Sequence, residues 1–228
     1  MRDKIEFDLL SNAIDSIDHA IDLLAYDQDL DRPTVSKRAI ISLAHAIELL
    51  LKERLRQIHP SLIWENVDRY PDLDARTVTA ESALRRLKQI GGLDFPEKDE
   101  QLLRSIRKTR NAIEHYKWSI SSEEAEYITG ASLNFATGFL KEYLGKDVLG
   151  YAEREGGLLQ DLMDRNRSFA LSYEKRRSEG KSSKEERCCG FCKALLKTED
   201  CGACPKCGHW NYFGYGGFRS SFDDDIPF

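Results

Sequence analysis

The stretch from Ala39 to Lys52, AIISLAHAIELLLK, is apolar nearly all the way round a helix. A helix with no polar face cannot sit on a surface; it must be the buried centre around which other helices pack. The preceding segment supplies a partner. In residues 5–26, Leu10, Ile14, Ile17, Ile21 and Leu24 recur at steps of three and four, with Asp15, Asp18 and Asp22 mostly off that stripe. This is the pattern of an amphipathic helix. The central helix is expected from about Thr34 to Ile58, after the polar turn DQDLDRP.

Downstream, Pro60, Pro71 and several aspartates predict an irregular connection with short helical turns over 59–79. TAESALRRLKQIGG reads as a helix capped by Thr79 and ended by Gly91-Gly92. Pro96 opens another, expected to run to about Trp118. Ser121 or Ser122, followed by Glu123 and Glu124, opens one that ends near Gly145. Helices joined by short or moderate loops predict an all-α fold, most economically an antiparallel helical bundle. LLQDLMDRNRSFALSYEKRR predicts one further helix leaving the bundle as an arm, and SEGKSSKEER is a charged linker. The chain thus divides into a bundle (1–145), a helical extension (146–177), a linker (178–187) and a cysteine-bearing module with an acidic tail (188–228).

With 41% hydrophobic and 32% charged residues, the composition suits long solvent-facing helices. The net charge of -5 excludes a global field for nucleic acid, so any such binding needs a local basic patch. No stretch approaches the roughly 18 apolar residues of a membrane span, and the N-terminus has no signal-type apolar core. A cytoplasmic protein without a membrane partner is expected.

All six cysteines fall between Cys188 and Cys207. Such crowding reads as a metal site in a reducing compartment rather than a disulfide framework. Cys189-x2-Cys192 and Cys204-x2-Cys207 each aim two thiolates at one ion, the tetrahedral set zinc prefers. Cys188, Cys201 and His209 are alternates. This module resembles a zinc ribbon. Four thiolates leave no open coordination position, so the expected Zn2+ is structural. The aromatics after it, HWNYFGYGGFRSSF, fit the ribbon's own strand and small core; they can also stack on bases, with Arg219 for phosphate. FDDDIPF is acidic and unsuited to RNA.

The segment RKTRNAIEHYKW, 107–118, gathers Arg110, Asn111, Glu114 and His115 on one helix. Histidine transfers protons near neutral pH, and the arginine fork holds phosphate oxygens in pairs. Arg110 and His115 are separated by about 140° around the axis and are expected to flank a groove, with Asn111 on the histidine's side. Arg110 and Glu114 also have the spacing of a surface ion pair. Arg54…His59 and Arg38…His45 have similar spacings. But His45 lies in the apolar helix and is expected as a hydrogen-bonded core residue. His59 precedes Pro60 at a helix end, and His19 has no arginine partner.

On these residues the chain resembles the HEPN (higher eukaryotes and prokaryotes nucleotide-binding) family, whose nuclease members carry R-x(4–6)-H on a bundle helix, often with a polar residue after the arginine. Arg110-Asn111-Ala112-Ile113-Glu114-His115 fits the short form, and AHAIELLLKERL from Ala44 is similar to the helix packed against it. The resemblance covers roughly 1–145. It implies a homodimer with facing motif helices and an endoribonuclease that needs no catalytic metal. Arg110, Asn111 and His115 would be catalytic and Glu114 supporting. It further implies an RNA substrate, a protein partner or inhibitor, and a role as a toxin or antiviral defence effector. One toxin subgroup has a tyrosine two positions after the histidine; here Tyr116 follows directly and Lys117 takes that place. No residue outside the motif is assigned to RNA. The rivals are a non-catalytic interaction module whose ribbon recruits a protein or nucleic-acid partner, and a zinc-ribbon regulator that uses the bundle to dimerise.

Overall fold

The computed structural model describes residues 6–26, 33–149 and 157–182, together with four two-residue strands at 187–188, 195–196, 202–203 and 210–211. The described chain is mostly helical, in the order α1 (Leu9–Tyr26), α2 (Pro33–Ile58), α3 (Ala80–Gln89), α4 (Glu97–His115), α5 (Ser122–Leu144), α6 (Leu158–Arg165) and α7 (Arg167–Ser182). Among the described residues no helix is long and apolar enough to cross a membrane. The chain separates into two compact units, Met1–Arg176 and Arg177–Phe228.

In the first unit α2 is the hub, touching α1, α3, α4 and α5. Ile40, Leu43, Leu50, Leu51 and Leu55 are fully enclosed, on the apolar side of the helix. They meet Ile17 of α1, Leu87 of α3 and Leu133 and Leu140 of α5 in one core. Where α2 must bury a charge it pairs it: Lys52 donates to Glu48 at 2.6 Å and to the Thr77 hydroxyl at 2.9 Å.

Local chemistry sets the helix ends. Thr79 accepts from the Ser82 amide to start α3. Ser121 and Glu124 form a reciprocal capping box at α5. Gly145 closes α5 in the left-handed conformation, φ 67°, which a glycine adopts without steric cost. The connection between α2 and α3 forms two 3-10 turns, Pro60–Ile63 and Val67–Arg69. It is pinned to α3 by Arg86, whose guanidinium donates to the carbonyls of Leu62, Trp64 and Glu65 at 2.6, 2.6 and 2.9 Å.

Four expectations change. The helix opened by Pro96 stops at His115 instead of about Trp118, because Tyr116 is extended. The stretch from Leu158 is two helices broken at Asn166, not one. Asn166 is extended, and its Oδ1 accepts from the Phe169 amide at 2.8 Å, capping α7. Its Nδ2 donates to the Thr129 hydroxyl on α5 at 3.1 Å. Nor does this stretch leave as an arm, since Leu162 and Phe169 are wholly buried in the core. Helix α7 also runs on to Ser182, into the segment read as linker.

In the second unit the short strands pair in two antiparallel sets. Arg187 and Cys188 face Leu196 and Leu195; Gly202 and Ala203 face Asn211 and Trp210.

Candidate active site

Helix α4 is held to the core by Leu102, Leu103 and Ile106, which are buried. Its acidic first turn, Glu97, Asp99 and Glu100, complements the positive end of the helix dipole. The remaining face is polar and basic, and its last turn carries the motif.

There Arg110 Nε lies 2.7 Å from Oε2 of Glu114. The same oxygen is 3.9 Å from Nε2 of His115, an ion pair when the imidazole is protonated. Guanidinium and imidazole therefore gather around one carboxylate oxygen, despite leaving the helix in different directions. Asn111 joins them: its Oδ1 is 3.5 Å from Arg110 Nη1. The His115 side chain is 64% exposed and Arg110 43%, so both remain reachable from solvent.

The expected groove is arranged differently. A groove of ≈ 520 Å3 on α4 is lined by Glu81, Arg104, Arg107, Lys108, Asn111, Ala112 and Tyr116. Of the motif's polar residues only Asn111 lines it. Arg110 turns along its own helix toward Glu114, and the ion pair holds it to one side.

The other histidines stand elsewhere. His45 is hydrogen-bonded, its Nδ1 3.0 Å from the Ser16 hydroxyl, but it is exposed rather than in the core. Helix α2 is less evenly apolar at that position than its neighbours suggest, and α1 covers it only in part. His59 caps the 3-10 turn after α2, its Nδ1 accepting from the Ser61 amide at 3.2 Å. His19 is exposed on α1. Among the described residues no ion pair joins Arg54 to His59 or Arg38 to His45.

A second groove, of ≈ 410 Å3, lies on the α5 side of α4. Its lining includes Lys108, Ala112, Lys117, Trp118, Glu124 and Tyr127. Sequence reasoning assigned none of these basic or aromatic residues. Lys108 and Ala112, one turn apart on α4, line both grooves, a spacing that was legible in RKTRNA.

Cys189, Cys192, Cys204, Cys207, Cys201 and His209, the aromatic segment from Tyr212 and the acidic tail lie outside the described residues. Of the metal-ligand candidates only Cys188 is described, on the first strand of its pair. Compared with family models, with curated proteins and with solved structures, the chain matches none.

Proposed function

We propose that this chain is a HEPN-like endoribonuclease of helical fold, acting as a homodimer in the cytoplasm, with a structural zinc ribbon behind it. The observation that carries the reading is the meeting of Arg110 and His115 around Glu114 Oε2 on an exposed helix end. In the mechanism His115 takes the proton of a ribose 2′-hydroxyl, whose oxygen attacks the adjacent phosphorus. The bond from phosphorus to the 5′ oxygen breaks, and that oxygen receives a proton from His115 of a second copy. Products are a 2′,3′-cyclic phosphate and a 5′-hydroxyl end. Arg110 neutralises the charge growing on the phosphoryl oxygens, exchanging part of its contact with Glu114 for them. Asn111 orients the phosphate or the attacking hydroxyl. DNA, lacking that hydroxyl, is not cut.

The short strand pairs support the ribbon. Residues 189–194 connect one pair of strands and 204–209 the other, so each C-x2-C sits in the connection of an antiparallel pair. Cys188 stands on a strand and Cys201 directly before one, which favours Cys189, Cys192, Cys204 and Cys207 as the zinc ligands. When bound, the ion would cross-link the two C-x2-C segments, a staple that a module this small needs.

One observation favours a second reading. An i, i+4 ion pair between Arg110 and Glu114 is also a common surface device, and a non-catalytic interaction module would keep it. Growth separates the two. Expression of the wild type in a bacterial host arrests growth under the nuclease reading, and Arg110→Ala relieves the arrest. Equal growth with both proteins supports the interaction module or a restrained enzyme.

A further inference from the structure

We propose that the two grooves beside α4 form one track for single-stranded RNA, crossing the helix over a saddle at Lys108 and Ala112. The proposal rests on the reading of α4 as the RNA-cleaving helix and extends it to residues outside the motif. Both grooves share Lys108 and Ala112 as lining, so they adjoin along that turn of the helix. Of the two shared residues Ala112 contributes only a methyl group.

Charge along the track is locally basic, against the net -5 of the whole chain. Its cations are Arg104, Arg107, Lys108 and Lys117, and its carboxylates Glu81 and Glu124. Both carboxylates are already engaged. Glu81 pairs with Arg107, and Glu124 closes the capping box of α5. Lys108 and Lys117 have no carboxylate partner among the described residues. They are therefore free to neutralise phosphates.

Aromatic faces alternate with these cations. Tyr116, 81% exposed, borders the first groove. Tyr127, 59% exposed, and the half-buried Trp118 border the second. Unpaired bases stack on such faces whatever their identity, while the cations follow the backbone. An acidic peptide would use the lysines but not the two open tyrosine rings, which is why nucleic acid is the better occupant. Asn111 lines the first groove and also touches Arg110, so the track meets the motif there. Tyr116 and Lys117 follow the helix end directly. The departure from the R-x(4–6)-H-x-Y order thus places a base platform and a phosphate cation beside the histidine.

The experiment uses the full chain and a fluorescein-labelled 2′-O-methyl oligouridylate, which binds but has no free 2′-hydroxyl to attack. Anisotropy is read at two salt concentrations. Tyr116→Ala is expected to raise Kd about fivefold or more, with Tyr116→Phe close to wild type. Lys108→Glu and Lys117→Glu each raise Kd and lower the salt slope by about one or more. Circular dichroism checks that each variant is folded. Wild-type affinity in Tyr116→Ala and both lysine variants overturns the track, as does displacement of the oligonucleotide equally well by polyglutamate. The two levels separate with an all-ribose oligonucleotide. If it binds with the same variant pattern and stays intact, the track stands and the nuclease falls. If it is cut through His115 while the Tyr116 and Lys108 variants keep their KM, the nuclease stands and the track falls.

Discussion

The Nε of Arg110 and the Nε2 of His115 approach the same atom, Oε2 of Glu114, at 2.7 and 3.9 Å. A guanidinium and an imidazole that diverge from their helix both come near one carboxylate oxygen. Under the nuclease reading, Glu114 is the residue that positions the other two. Glu114→Ala leaves both free to rotate, and misplacement of a reacting group by an ångström is costly. A roughly tenfold fall in kcat with little change in KM is expected, measured on a labelled RNA. An unchanged kcat means the carboxylate only solubilises the helix.

Asn166 joins α5 to α7 through a buried side chain, and its loss strands the Phe169 amide and removes the link to the Thr129 hydroxyl. Asn166→Ala is expected to lower stability by about 1–3 kcal/mol in urea denaturation. Its neighbour Gly130 gives a sharper test. Glycine to alanine inside a helix ordinarily stabilises by up to about 1 kcal/mol. Here the new methyl would lie 2.3 Å from Asn166 Oδ1 and 2.5 Å from the Phe169 nitrogen. Overpacking of about 1–3 kcal/mol wins, so Gly130→Ala should destabilise. A stabilised variant would show that α7 does not pack as described.

Partial desolvation, then the charges of Asp22 and Asp15, push the Asp18 carboxyl above its ordinary range. The folded state therefore holds this proton more tightly than the unfolded chain. Stability from this group falls as pH rises from the ordinary value of 3.8 through the raised one, and stays lower beyond it. Asp18→Asn should be more stable than wild type at pH 7 by a fraction of a kcal/mol, screened because Asp18 touches solvent, and no more stable near pH 3. Thermal melts at the two pH values check this; a variant less stable at pH 7 contradicts it.

For the cysteine module, metal analysis should find about one zinc per chain. Cys189→Ser, Cys192→Ser, Cys204→Ser and Cys207→Ser should each lose it, whereas Cys188→Ser and Cys201→Ser retain it. Zinc loss in the last two would shift the ligand set to the alternates.

What the sequence disclosed and withheld follows from the range of each interaction. The burial of α2 and the caps at Thr79 and Ser121 are written within a few residues, and they are where the pattern put them. The break at Asn166 is only partly local: its cap on the Phe169 amide lies within NRSF, but the hydroxyl that also holds its side chain is 37 positions away on α5. The exposure of His45 depends on how far α1 covers α2, which periodicity does not state. At the candidate site the pairing of Arg110 with Glu114 was legible from their spacing. The grooves were not, because Lys117, Trp118 and Tyr127 join α4 only through the turn after His115.

The central claim is that Arg110 and His115 act on one phosphodiester. The most direct measurement is the single-turnover cleavage rate of an end-labelled RNA in EDTA, with the product ends identified. Wild type should leave 2′,3′-cyclic phosphates, and His115→Ala and Arg110→Ala should each be slower by roughly a hundredfold or more. Equal rates in wild type and both variants, or products ending in a 3′-hydroxyl, would contradict it.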